Sequence, residues 1–208
     1  MKRIVFILTC VFLAFACTQS PQKKAEALIK ESVQKSLFFP DSYEAVETQL
    51  DSAFSPFHDP KVVETILGLC KKGVELEDLE LEMKQAKSSM SIWSGPYMTA
   101  YGKNEYNEAK AKYEEAEAKY NALINKVQKI SEGLKEQFEK DPEFIGYKAH
   151  HRYRAKNNAG GVVMGDMAFV LNKELTAVVA QWDEEEIEMY NAFLQQAAEA
   201  AELAQDPE

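Results

Sequence analysis

Residues 144–171, FIGYKAHHRYRAKNNAGGVVMGDMAFVL, alternate with the period of two that marks a half-buried strand. Ile145, Tyr147, Ala149, His151, Tyr153 and Ala155 share one face of the first run. Lys148, His150, Arg152, Arg154 and Lys156 share the other. Asn157-Asn158-Ala159-Gly160-Gly161 suits a Gly-containing hairpin loop of three to five residues. Beyond it Val163, Met167, Phe169 and Leu171 repeat the pattern. The spacing therefore predicts two antiparallel strands around which the chain is organised. Ser42 to Phe54 alternates as well, with Val46, Thr48, Leu50 and Phe54 on one side and Glu47, Gln49 and Asp51 on the other. Thr176 to Gln181 reads as one more short strand.

The remaining apolar positions recur at helical spacing. Ala25, Leu28, Ile29, Val33 and Leu37 predict a helix that Pro40 ends, because the residue before proline is pushed out of the helical region. Lys61 to about Met90 is helical with a broad apolar surface that takes in Val62, Ile66, Leu69, Val74, Leu79 and Leu81. Lys103 to about Lys140 carries the clearest pattern: Tyr106, Ala109, Tyr113, Ala116, Tyr120, Leu123, Val127, Ile130 and Leu134 step strictly by three and four. That is a coiled-coil seam. The preceding helix is its nearest partner, and pairing between chains is the alternative. Asp183 to about Ala204 forms a last helix with Ile187, Tyr190, Leu194, Ala198 and Ala201 as its stripe. Together these elements predict an α+β fold: a small antiparallel sheet with flanking helices and a long antiparallel coiled-coil helical-hairpin insertion. Residues 25–58 and 141–204 form the core, and 60–140 the inserted hairpin.

The N-terminus changes where this fold is placed. Lys2 and Arg3 precede an apolar run, Ile4 to Ala16, too short for a membrane span of about 20 residues. Residues 1–16 read as a signal peptide and 17–24 as a tether. Leu13-Ala14-Phe15-Ala16-Cys17 resembles the lipobox of a bacterial lipoprotein, with Phe15 departing from the usual small residue. The resemblance implies a lipid on Cys17, a palmitate among its acyl chains, and a membrane anchored through that lipid. Ordinary cleavage leaving an unmodified Cys17 is the alternative. Thr18-Gln19-Ser20-Pro21 holds no acidic residue, so the expected address is the Gram-negative cell envelope, on the outer membrane facing the periplasm. Cys70 would then be the one thiol left, in an apolar helical pattern that suits a small core residue.

Composition narrows the chemistry. The 208 residues are 46% hydrophobic with a formal net charge of −10, and loss of Lys2 and Arg3 takes this to −12. Such a chain is repelled by nucleic-acid phosphates, so no nucleic-acid partner is expected. The three histidines lack ligand spacing: His150 and His151 point to opposite faces of a strand, and His58 lies in a Pro-rich loop. No catalytic motif and no cofactor signature occurs, which favours a non-catalytic binding or adaptor protein. Two features stand out as candidate ligand or partner surfaces. One is the basic row Lys148, His150, Arg152, Arg154 and Lys156, which either meets Glu47 and Asp51 across the sheet, with the acidic start of the last helix as another source of charge, or receives an anionic ligand, as in an envelope hydrolase. The other is the apolar connection Met90 to Tyr101, where Trp93, Tyr97 and Met98 either cap the coiled coil or anchor an envelope protein partner. A third possibility is a spacer that self-associates through the coiled coil.

Two short segments carry a family resemblance. Pro40-Asp41-Ser42-Tyr43-Glu44 after a helix, and Tyr153-Arg154-Ala155-Lys156-Asn157 before Gly160-Gly161 and an apolar strand, resemble paired motifs of an uncharacterised exported bacterial lipoprotein family. The resemblance covers the sheet and leaves out the insertion. It implies a shared β core and no activity. Growth with a clickable palmitate should label the native chain and leave the Cys17→Ala variant dark; equal labelling of both would remove the anchor.

Overall fold

The computed structural model describes residues 19–95 and 99–205. The protein is α+β. Helix α1 (Pro21–Ser36) leads through a three-residue 3-10 turn (Pro40–Ser42) into strand β1 (Glu44–Phe54). Two long helices follow, α2 (Pro60–Trp93) and α3 (Ala100–Phe138). Strands β2 (Phe144–Lys156), β3 (Val162–Asn172) and β4 (Val178–Asp183) and helix α4 (Glu184–Gln205) complete the chain. The chain divides into a β unit, up to Pro60 and Glu143–Ile187, and a helical unit, Lys61–Pro142 and onward from Glu188.

In the β unit the strands lie in the order β1-β2-β3-β4, every neighbouring pair antiparallel. α1 covers one face. Its Ala25, Ile29 and Val33 are wholly buried and pack with Ala149 of β2, Phe169 and Leu171 of β3, and Leu175. This is the alternation of β2 and β3 read directly: the apolar rows face the helix, and the basic row faces away. α1 begins before the predicted Ala25. Pro21 sits in its first turn, where a missing N–H costs nothing, and the Ser20 side chain accepts from Lys23 N. Residues 21–24 are therefore helix and not tether.

β1 departs from its predicted faces at one place. Ala45 stands opposite Tyr153 and Glu47 opposite Arg152, so Val46 is an extra residue, a β-bulge. Val46 turns outward and is 45% exposed, instead of joining Thr48 and Leu50 on the buried side. Phe54, at a second irregularity, packs edge-on against Phe144 and remains partly exposed. The hairpin turn falls where expected. Asn157 closes it, its Oδ1 accepting from Ala159 N and Gly161 N.

In the helical unit α2 and α3 run antiparallel. The α3 seam is inward along its whole length: Ala109, Ala116, Leu123 and Leu134 are buried, and Tyr106, Tyr113, Tyr120, Val127 and Ile130 half-buried. Leu79 meets Ala116 and Leu123, with Leu76, Met83 and Tyr120 around them. Nearer the helix ends, Val62, Ile66 and Leu69 meet Leu134. The matching seam on α2 is narrower than the broad apolar surface predicted, and Val74 and Leu81 face water. α4 supplies a third helix here. Its Tyr190 and Phe193 pack on the Val62–Ile66–Leu69–Leu134 cluster. The expectation that 141–204 belongs wholly to the sheet core is thus corrected: from Glu188 the chain belongs with the long helices. Ala198, predicted for the buried stripe, is exposed.

Among the described residues no helix is long and apolar enough to cross a membrane. Gly146 is the backbone position least tolerant of change. It has φ +146°, stands between Ala53 and Asn172, and a Cβ there would overlap the Leu171 carbonyl. Gly146→Ala should lower stability by on the order of 2 kcal/mol, read as a fall in the urea midpoint of the β unit.

Candidate functional site

The basic row lies where the alternation placed it, on the β2 face turned away from α1. His150, Arg152, Arg154 and Lys156 are exposed, and Lys148 is half-buried. Register sets an acidic strand beside it: Glu44 opposite Arg154, Glu47 opposite Arg152, and Asp51 opposite Lys148. The carboxylate that closes on the row comes from the other side, however. Asp166 of β3 has Oδ1 2.6 Å from His150 Nε2 and Oδ2 3.8 Å from Arg152 Nε. Asp166 Oδ1 is buried and has no aligned hydrogen bond, so His150 is its one close counterpart. Glu47 instead accepts from Gln49. Among the described residues neither Glu47 nor Asp51 forms the predicted ion pair, and the carboxylate that meets the row is Asp166. The sequence pattern hid this partner inside an otherwise apolar strand. Among the described residues no carboxylate lies within ion-pair distance of Arg154 or Lys156. The row is an open, partly compensated surface.

The most ordered polar constellation is one the sequence did not single out. His151 is 1% exposed and, among the described residues, the one polar residue in the buried set. Its Nε2 is 2.9 Å from the Tyr43 hydroxyl and its Nδ1 is 2.8 Å from Thr48 Oγ1. The Tyr43, His151 and Tyr153 rings form a mutual triangle, with centroids 5.9 Å apart for Tyr43–His151, 5.8 Å for His151–Tyr153 and 5.8 Å for Tyr43–Tyr153, and Phe169 meets the imidazole edge-on. Each contact follows from local structure. The 3-10 turn swings Tyr43 back over the sheet, Thr48 stands opposite His151 in the β1–β2 register, and Tyr153 is two residues along the same face. Burial holds the His151 pKa below the usual imidazole value, and it raises those of the Tyr43 and Tyr153 phenols. The ring is thus neutral and both phenols keep their protons near neutral pH. The only signal in the sequence was a histidine on an apolar row, flanked two residues away by tyrosine.

Beside this cluster α1 and β1 frame an open groove of about 610 Å³, lined by Lys23, Glu26, Lys30, Tyr43, Val46 and Glu47 among others. Its charges are balanced, and the Tyr43 ring belongs to both groove and cluster. His151 cannot serve as a base toward this groove, because both its nitrogens are engaged and it has almost no surface. The two motifs behind the family resemblance meet here. Pro40-Asp41-Ser42-Tyr43-Glu44 supplies Tyr43, and Ser42 Oγ accepts from Lys156 N. Tyr153 and Asn157 supply the stack and the turn. Both segments act as architecture of the sheet.

The other candidates lie apart. Trp93 ends α2 half-buried, and Tyr101 meets it edge-on at 5.6 Å. Ile92 and Tyr101 are 71% and 63% exposed. Tyr97, Met98 and Cys17 lie outside the described residues. Cys70 packs beside the Val62–Ile66–Leu69–Leu134 cluster, and burial pushes its thiol pKa up, away from a reactive thiolate. His58 is occupied by the Phe54 backbone through Nδ1. Among the described residues no group of three or more histidine, cysteine or acidic side chains is placed to hold a metal. No protein-family model, characterised protein or solved structure matches the chain.

The buried imidazole makes stability depend on pH. An unfolded histidine titrates near about 6.5. In the folded chain His151 binds its proton less readily, so its contribution is intact above that pH and is lost as pH falls below it. Urea unfolding of the native chain should show stability dropping between pH 7.5 and pH 5. His151→Gln should be less stable at pH 7.5 and should flatten that drop; an unchanged slope would place the titration elsewhere.

Proposed function

We propose that this chain is a lipid-anchored cell-envelope protein that acts as a non-catalytic binding or adaptor protein, held to the membrane by a lipid on Cys17 and offering the end of its helical hairpin where α2 and α3 meet to another envelope protein. The observation that carries the reading is the aromatic end of α2 and α3. Ile92 and Tyr101 face water where α2 ends and α3 begins, with Trp93 edge-on to Tyr101. Helix ends joined by a short connection usually present polar residues. Burying one large apolar side chain contributes about 1.5–3 kcal/mol, so Ile92 and Tyr101 can anchor a contact once the cost of association is met.

Two alternatives lose ground on specific contacts. A hydrolase on the basic strand needs a shielded site, whereas Arg152 lies open beside Asp166. Self-association through the α3 seam needs that seam free, whereas Ala109, Ala116, Leu123 and Leu134 are buried within one chain. Binding of an anion at Arg154 and Lys156 stays compatible with an adaptor.

The test is a pull-down of the full-length lipoprotein from its own membranes. Ile92→Ser/Tyr101→Ser should remove the partner and shift the thermal midpoint little, since both side chains are already exposed. Retention of the partner, or a marked fall in the midpoint, would make this end a structural cap.

A further inference from the structure

The sheet has two long edges, and they are treated differently. β1 is an edge strand of 11 residues, but it is blunted throughout. It carries the Val46 bulge and the outward carboxylates Glu44, Glu47 and Asp51, and the Gln22 side chain occupies the Thr48 carbonyl. These are the devices by which proteins keep strand edges from pairing. The opposite edge is incomplete. β4 pairs with β3 only from Leu171 to Met167, where Asp183 is the last partner, and the chain then leaves as α4. The first half of β3, 162–166, is paired with β2 alone. Among the described residues no other backbone group bonds its outer side.

This overhang has none of the blunting features of β1. Val162, Val163 and Met164 are 65%, 45% and 47% exposed. Asp166, its one charge, is turned toward His150 and Arg152 on the β2 side. At Gly165 there is no side chain, and the Tyr153 ring lies across the gap so closely that a Cβ would overlap it. The result is a short apolar ledge with outward backbone N–H and C=O groups and an aromatic floor. Where β4 stops, the start of α4 closes the ledge with Glu184 and Glu185 exposed and Glu186 tied to Asp183 in a reciprocal cap. These carboxylates outweigh the partial positive charge of the helix end.

We propose that residues 162–166 accept an extended peptide segment of a partner protein as an added strand, in line with β4 and antiparallel to β3. The segment is apolar at alternate positions, and its first residue, which abuts Glu184 and Glu185, is basic. Main-chain hydrogen bonds supply affinity in this mode, and alternate side chains supply selection. The acidic end of the ledge selects for a basic segment. This surface lies in the β unit and does not depend on the hairpin-end reading.

The probe is a fluorescein-labelled hexapeptide of alternating Val and Thr after an N-terminal Lys, titrated into the full-length chain with polarisation readout. A matched peptide with Glu in place of Lys is the control. The Lys peptide should bind at least tenfold tighter than the Glu peptide. Glu184→Lys/Glu185→Lys should reverse that order, and Ile92→Ser/Tyr101→Ser should leave it unchanged. In the native chain, saturating Lys peptide should slow amide exchange at 162–166 and nowhere along β1. Absence of binding, equal binding of both peptides, or protection confined to β1 would overturn the proposal. So would a concentration-dependent dimer that Met164→Lys dissociates, because the ledge would then belong to a second copy of the chain.

Discussion

An uncharged imidazole clustered with two tyrosines ties together the parts of the β unit that sequence alone keeps far apart. His151 reaches Tyr43 and Thr48 across more than a hundred residues of chain. A buried histidine with an unmet nitrogen would cost on the order of 1–3 kcal/mol. With both nitrogens met, the same group fixes the β1–β2 register, because a slip of one residue would put His150 or Arg152 in its place. The surrounding choices follow from that need. The 3-10 turn exists to return Tyr43, and Tyr153 is placed to stack on the ring and to fill the space over Gly165.

The helical unit rests on simpler physics. Alanines alternate with larger residues along the α3 seam, so α2 approaches closely at Ala109 and Ala116 while Leu123 and Leu134 fill the wider layers. Outward positions are tied by i,i+4 pairs such as Glu108–Lys112 and Glu115–Lys119, each of small worth in water. Stability of this unit is therefore carried by the seam and by Tyr190 and Phe193 of α4, not by its charges.

Periodic features were legible in the sequence because periodicity is local. The alternation of β2, the step of three and four along α3, the Asn157 turn and the break at Pro40 need no knowledge of the rest of the chain. Features that depend on what lies opposite were not legible. Val46 fits the alternation and is expelled by a bulge that only the pairing with Tyr153 and Arg152 reveals. The counterpart of the basic row was sought on β1, where the acids are numerous, and it came from the single Asp166 on β3. α4 has an apolar stripe suited to any partner, and its docking on Val62 and Ile66 is a tertiary choice. The candidate surfaces divide in the same way. Exposed aromatics near residue 93 can be read from composition, whereas the incomplete edge of β3 depends on where β4 stops.

The meeting of Ser55 and Glu143 has a consequence for the order of folding. Ser55 N donates to the Glu143 carbonyl at 2.9 Å, and Glu143 N donates to Ser55 Oγ at 3.2 Å, so the two ends of the inserted segment are clasped together. Pairing β1 with β2 from an open chain would require closing that entire segment as one loop, with its entropy lost before any ladder bond forms. α2 and α3 follow one another in the chain and pack through Leu79, Ala116 and Leu123, so their pairing closes shorter loops than the β1–β2 pairing does. That pairing brings Val62 and Leu134, near the two ends of the insertion, together, so less of the loop between residues 55 and 143 remains to be closed. The long insertion then acts as the turn of a hairpin, and β1 finds β2 at nearly the cost of a local strand pair.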